Sequence, residues 1–224
     1  MDNSIFSKFK DHFKQKYEQK IKKHINSSQC GKNKTKIVVL CSGCYCPPHE
    51  GHYFMMEEAI KHLTLKDYDV VMGIYSVSSD AYMNGKVKDI KITFDERQKL
   101  LESLISKNKT VEQEIIVDNF EKGKAFIDYP DLCFMYQNEF KQYNIKFAYC
   151  AGSDLLKYGL NLQFYDFADL LIIYQRDQKK VDDNIRKQKD IIVLEHEQTK
   201  SLNSSEIRQN IKQANNHQNQ EQKK

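Results

Sequence analysis

His49-Glu50-Gly51-His52 follows the apolar run Lys36-Ile37-Val38-Val39-Leu40-Cys41-Ser42-Gly43 and the pair Pro47-Pro48. Two imidazoles three residues apart on an opening helical turn point the same way. The first-turn N–H groups have no intrahelical partner, and the helix dipole favours anions. Gly43 lets the backbone come close to a phosphate. Imidazoles so placed donate to phosphate oxygens without adding a nucleophile. The chemistry implied is phosphate chemistry carried out by positioning and charge, with no covalent intermediate on the protein.

A second cluster is Ser201-Leu202-Asn203-Ser204-Ser205-Glu206-Ile207-Arg208. Alone it is an ordinary serine cap. Beside the histidine loop it becomes a seat for a polyphosphate, made of N–H groups, two hydroxyls and a guanidinium. A third is Ala151-Gly152-Ser153-Asp154, a turn with a capping carboxylate or a carboxylate for ribose hydroxyls. Cys41, Cys44 and Cys46 raise a zinc reading, but Cys133 and Cys150 stand far off and isolated, so no metal is expected on the protein.

These residues need strands and helices to aim them. The apolar pattern predicts strands at 36–41, 69–75, 113–117, 146–150, 169–174 and 190–194. Helices are expected at 52–64, 94–107, part of 121–142, 153–159 and 204–213. Thr93 and Glu96 have capping-box spacing. Strands alternating with helices imply an α/β fold with a parallel sheet and right-handed crossovers. Ligands of such sheets bind beyond the strand C-termini, near the point where strand order reverses. The loops after strands one, two, four and six should therefore carry the chemistry.

The net charge of +4 over 224 residues conceals an asymmetry. Residues 1–36 hold ten Lys against three Asp or Glu, so the remaining 188 residues sum to −3. The basic pI is thus no sign of a nucleic-acid surface. Ile5, Phe9, Phe13, Tyr17, Ile21 and Ile25 recur every four residues, as in an amphipathic helix. Packing on the body or on another subunit is favoured over a membrane-surface helix. Asp2, Asp11, Glu18 and the lack of arginine argue against a mitochondrial presequence. Residues 1–35 read as a basic helical extension and linker, and removal of 1–30 is expected to leave a folded, active protein. Residues 36–212 form the main domain, and 213–224 a polar tail expected to fray. There is no apolar run of membrane-spanning length, and six cysteines without a signal sequence suggest an intracellular protein. A cytoplasmic or nuclear site is favoured over a mitochondrial one.

The loop at 43–52 resembles the Gly-x-Phe-x-Pro-x-His-x-Gly-His signature of the HxGH nucleotidyltransferase superfamily, and 202–208 is similar to its Ile-Ser-Ser-Thr-x-Ile-Arg. Val77-Ser78-Ser79-Asp80-Ala81-Tyr82 resembles the Pro-Val-Ser-Asp-Ala-Tyr loop of nicotinamide/nicotinate mononucleotide adenylyltransferases. Glu96-Arg97, Val117-Asp118-Asn119-Phe120-Glu121 and Gly152-Ser153-Asp154-Leu155-Leu156 resemble that family's later motifs in order. The resemblance implies a Rossmann-like, doubly wound sheet with flanking helices. It also implies adenylyl transfer from ATP to the mononucleotide, with Mg²⁺ held mainly by substrate phosphates and water. His49, His52 and Arg208 would be catalytic. Gly43, Cys44, Tyr45, Gly152, Asp154, Ser204 and Ser205 would join them around ATP. Tyr82, Phe120, Glu121 and Arg176 would frame the pyridine nucleotide.

Departures from the signature are Cys44, Tyr45, Cys46, Asn203, and Phe120 in place of a tryptophan that lies along the pyridine ring. Lys86 and Lys88 are both candidates for the family lysine after Asp80-Ala81-Tyr82. Another transferase of the superfamily, acting for example on phosphopantetheine, is the alternative enzyme. A catalytically silent nucleotide-binding or chaperone-like module is the alternative outside enzymes, and a membrane or nucleic-acid adaptor working through the basic arm is a third. No nucleic acid or stable membrane insertion is expected, and a homo-oligomer is left open.

Overall fold

The structure, a computed structural model, describes the chain except residues 1–2, 28–32, 89–90, 159–166, 176–180, 189, 196–203 and 222–224. Six parallel strands lie in the order β3-β2-β1-β4-β5-β6. They are β1 (Thr35–Gly43), β2 (Tyr68–Val77), β3 (Ile115–Asp118), β4 (Lys146–Gly152), β5 (Leu170–Gln175) and β6 (Ile191–Glu195). Each predicted strand is present, and the ends differ by a residue or two. The order reverses between β1 and β4, so a crevice opens above their C-termini.

Buried residues on alternate sides of the strands build two apolar layers. Val39, Cys41, Ala148 and Cys150 face α3 (Glu50–Leu65) and α5 (Phe94–Asn108). Val38, Leu40, Phe147 and Tyr149 face α6 (Tyr129–Lys141) and the N-terminal segment. Thr93 caps α5 in a capping box with Glu96, as the spacing predicts.

The N-terminal segment is α1 (Asn3–Phe13), a π-helical turn (Lys14–Glu18) and α2 (Gln19–Ile25). A strict four-residue repeat drifts about 40° per step around a 3.6-residue helix. The wider π turn winds the stripe back onto one face. Phe9, Phe13, Tyr17 and Ile21 are at most 1% exposed and belong to the core. The basic charge faces outward and is partly paired, as in Lys20 with Glu114. His24 lies 2.9 Å from Asp69 at the start of β2. Packing on the body, the favoured reading of this stripe, is what the structure shows: the stripe covers one sheet face, and that cover argues against a dispensable arm.

Two more helices were not expected from the sequence, α4 (Asp80–Lys86) and α7 (Asp183–Arg186). Both are too short to show a helical period, and each has a side-chain N-cap, Ser79 and Asp182. The last helix, α8 (Ser204–Glu221), continues through residues that the sequence reading leaves as a fraying tail. No Pro or Gly lies between its ends to stop it.

Candidate functional site

A cavity of about 530 Å³ lies over the C-termini of β1 and β4. Gly43, Cys44 and Tyr45 line it from the loop after β1, and His52 from the first turn of α3. Gly152 and Asp154 line it from the turn after β4, and Ser204, Ser205 and Arg208 from the start of α8. Tyr82 and Glu121 line the opposite side. Segments spread over some 160 residues thus meet where the strand order reverses.

His49 is the N-cap residue of α3, and its carbonyl accepts the first helical bond from His52 N at 2.9 Å. In return the His49 backbone N–H donates to His52 Nδ1 at 3.1 Å. An Nδ1 that accepts leaves the ring proton on Nε2, so His52 is a donor through Nε2. Tyr75 fixes the same turn by donating to the His52 carbonyl at 2.8 Å. The His49 and His52 rings lie 3.8 Å apart, centroid to centroid. His52 is on the cavity wall, whereas His49 stands behind it and is 6% exposed.

Two arginines hold the loop. Buried Arg97 of α5 donates to the Cys44 carbonyl at 2.7 Å and to Asp80 Oδ1 at 2.8 Å. Arg208 donates to the Cys46 carbonyl at 2.7 Å and to Ser205 Oγ at 2.9 Å, and Ser204 donates to the Pro47 carbonyl at 3.0 Å. Tyr45 takes a left-handed φ of 47°, uncommon for an aromatic residue. A Cβ at Gly43 would sit 3.3 Å from the Tyr45 ring, so this glycine makes room for that ring.

Cys41 and Cys46 are buried, and Cys44 is half-buried at the cavity. Burial pushes the Cys44 and Cys46 thiols up, against the pull of the nearby cations, Lys86 and Arg97 for Cys44 and Arg208 and Arg97 for Cys46. They are therefore weak nucleophiles at neutral pH.

Glu121 is 2% exposed. It accepts from Ser76 Oγ at 3.0 Å and from Ser79 N at 3.4 Å. Burial raises its carboxyl to about 7, opposed by those two hydrogen bonds and by Arg97 and reinforced by Asp118. It is thus a carboxyl poised to change charge near neutrality.

Phe120 does not line the cavity, which corrects its assignment to a pyridine ring. It is 2% exposed and stands edge-on to Phe9 at 4.9 Å. The N-terminal helix supplies apolar cover on that side, and the ring turns into it. Phe126 lines the wall instead, 49% exposed and stacked 4.3 Å from Tyr82. Of the two candidate lysines only Lys86 lines the cavity, with its ammonium 5.5 Å from the Tyr82 ring centroid. Arg176 lies outside the described residues, as do Leu202 and Asn203. Sequence reasoning missed Phe126, Tyr129 and Tyr149, whose rings lie outside every motif. Tyr129 and Tyr149 are stacked at 5.7 Å on the cavity floor. The one usable signal was the aromatic content of 126–129.

Residues 40–210 match the cytidylyltransferase-like family. The chain belongs to that family. It is therefore a member of a nucleotidyltransferase group with a Rossmann-like fold. Similar solved structures include a nicotinic acid mononucleotide adenylyltransferase from Plasmodium falciparum complexed with NaAD. It is 16% identical, with a TM-score of 0.58, covering 76% of this chain and 82% of that one. The same enzyme complexed with APC gives a TM-score of 0.57 at 16% identity, covering 76% and 81%. At that identity the likeness is one of fold. No curated protein matches the sequence. Among the described residues of this cytidylyltransferase-like protein, no helix is long and apolar enough to cross a membrane.

Proposed function

We propose that this protein transfers the adenylyl group of ATP to nicotinamide or nicotinate mononucleotide and releases pyrophosphate. The observation that carries the reading is the convergence of His52, Gly152, Arg208, Tyr82 and Glu121 on one cavity. Its size suits small-molecule substrates. The NaAD and APC complexes of the Plasmodium falciparum enzyme support nucleotides of this kind.

In the proposed reaction the 5′-phosphate oxygen of the mononucleotide attacks the α-phosphorus of ATP in line. The new P–O bond forms as the α–β bridging P–O bond breaks, and pyrophosphate leaves with the electron pair. The protein needs only to align two anions and stabilise developing charge. His52 donates from Nε2 to an α-phosphate oxygen, and His49 fixes the tautomer that makes this possible. Ser204, Ser205 and Arg208, at the N-terminus of α8, take the β- and γ-phosphates. Gly43, Cys44 and Tyr45 shape the phosphate loop, and Gly152 and Asp154 take the ATP ribose. Lys86 faces the incoming 5′-phosphate. Tyr82 and Glu121 frame the mononucleotide, with Phe126 offering the aromatic face that Phe120 does not.

Among the described residues no three His, Cys, Asp or Glu converge as a metal cage. The donors along the phosphate path are instead imidazole, hydroxyl, guanidinium and N–H groups, which suit an anion. Mg²⁺ fits this site as an ion held by phosphate oxygens and water. When bound it would neutralise charge on the departing pyrophosphate.

The test is direct. Purified protein, ATP and Mg²⁺ are given each mononucleotide in turn, and the dinucleotide and pyrophosphate are measured. CTP and phosphopantetheine serve as the competing donor and acceptor. Product only with phosphopantetheine or only from CTP would replace this reading with another transferase, and no product from any pair would leave a nucleotide-binding module.

A further inference from the structure

The N-terminal helix reaches the cavity through a buried carboxylate. Asp118 ends β3 and is fully buried. His12 Nε2 lies 2.6 Å from its Oδ1, and Lys16 Nζ lies 3.3 Å from the same oxygen. Tyr136 of α6 donates to Oδ2, and the Tyr17 hydroxyl lies 3.4 Å from that of Tyr136. Burial alone would raise the Asp118 carboxyl, but His12, Lys16 and Tyr136 together hold it below its usual range. Lys16 also donates to the Val117 carbonyl at 2.9 Å and to Asn119 Oδ1 at 3.2 Å. One turn of the N-terminal segment therefore grips three consecutive residues at the end of β3.

The residues that follow carry this grip to the cavity. Phe120 sits between Phe9, His12 and Lys124, with the Lys124 ammonium 4.2 Å from its ring centroid. Lys124 also donates to the Phe120 carbonyl. Glu121 comes next, and it lines the cavity. Its carboxylate holds Ser76 and the backbone of Ser79, and the Ser79 hydroxyl caps the helix that bears Tyr82. Three peptide units separate Asp118 from Glu121, at most about 11 Å of chain, and the packing of Phe120 on Phe9 and His12 links the two ends. Without His12 the Oδ1 atom keeps Lys16 and the Asn119 N–H, which donates at 2.8 Å, but loses its shortest contact, at 2.6 Å, and the segment is free to shift.

We propose that His12 is a positioning residue for the second substrate. It fixes Asp118, thereby Glu121 and the cap of α4, and so sets the mononucleotide side of the cavity. The N-terminal helix is thus part of the site's machinery as well as its cover. The ATP side rises from other elements, the β1 loop, the β4 turn and α8. The inference rests on reading the cavity as an adenylyltransferase site.

The experiment compares full-length wild type, His12→Ala and His12→Gln, whose amide can still donate to Asp118. His12→Ala should raise KM for the mononucleotide by ~10-fold or more, with KM for ATP within about twofold, since small misplacement of a positioning group has large effects. His12→Gln should recover most of that loss. Amide hydrogen exchange supplies a readout free of turnover. In His12→Ala, residues 78–82 and 118–122 should exchange faster, while β5, at 170–175, should not. Equal rises in both KM values, or faster exchange confined to residues 3–25, would overturn the proposal in favour of a purely structural helix. Should His12→Ala fail to fold, Lys16→Met is read the same way and should move the same two quantities. A wild type inactive with both mononucleotides would remove the adenylyltransferase reading. The exchange data would then judge the coupling alone, with unchanged exchange at 78–82 counting against it.

Discussion

Arg208 Nη1 donates to the carbonyl of Cys46 at 2.7 Å, across 162 residues of sequence. The same guanidinium donates from Nη2 to Ser205. One side chain thus ties the start of α8 to the loop after β1, and the proposed β- and γ-phosphate seat lies between them. A five-donor fork can hold the loop and still turn N–H groups to a phosphate, whereas an ammonium cannot do both. Arg208→Lys should lower kcat/KM for synthesis by roughly ten- to a hundredfold, the loss of about 1.5–3 kcal/mol. The reverse reaction from dinucleotide and pyrophosphate should fall in step. Mononucleotide affinity measured without ATP should barely change, and an equal loss there would remove the phosphate assignment.

His52→Ala should reduce kcat by ~10²-fold or more, the scale of losing one preorganised transition-state donor. Mononucleotide affinity should change far less. Its Nδ1 is engaged by the His49 N–H. His52→Gln, whose amide N–H reaches the place of Nε2, should lose less than His52→Ala. Near wild-type turnover in His52→Ala would take this loop out of the chemistry.

Phe13 and Tyr17 are fully buried in the layer under the sheet. Deleting residues 1–30 should therefore yield insoluble or poorly folded protein, the reverse of the sequence expectation. Phe13→Ala should cost about 3–5 kcal/mol by the urea midpoint, as large-to-small core substitutions do. A soluble truncation with an unchanged midpoint would show the helix to be detachable.

The Glu121 carboxyl stands near 7 in the folded protein against an ordinary value of 4.5. The folded state therefore binds this proton more tightly than the unfolded chain. The stability it confers is complete below the unfolded value and is lost as pH rises through the folded one. Glu121→Gln removes this linkage. Unfolding free energies of the variant and wild type, measured between pH 5 and 8, should diverge in the variant's favour as pH rises. A constant difference would mean that the carboxyl titrates normally.

Protein prepared without chelator should carry far less than one zinc per chain, and Cys44→Ser/Cys46→Ser should remain folded. Burial raises both thiols, which disfavours the thiolates that zinc needs. Stoichiometric zinc lost with those substitutions would reopen the metal reading.

By itself the sequence determined the six strands, the longer helices between them and the segments that carry the candidate site. Those features are written locally. β-branched runs such as 37–39 favour a buried strand, Thr93 and Glu96 mark a helix start, and Gly, Pro and paired His mark the phosphate loop. Only the tertiary structure decided which way side chains face. Phe120 lies in a motif that suggests ring stacking, yet Phe9 and His12 draw it into the core. Phe126 and Lys86 belong to no clear motif, yet the fold brings both to the cavity wall. The N-terminal stripe reads as an arm because amphipathic periodicity fixes a helix's apolar face but not its partner. Its partners lie far off in sequence: the Tyr17 hydroxyl meets that of Tyr136 across 119 residues. Burial is a property of the assembled layers, so no local pattern could have reported it.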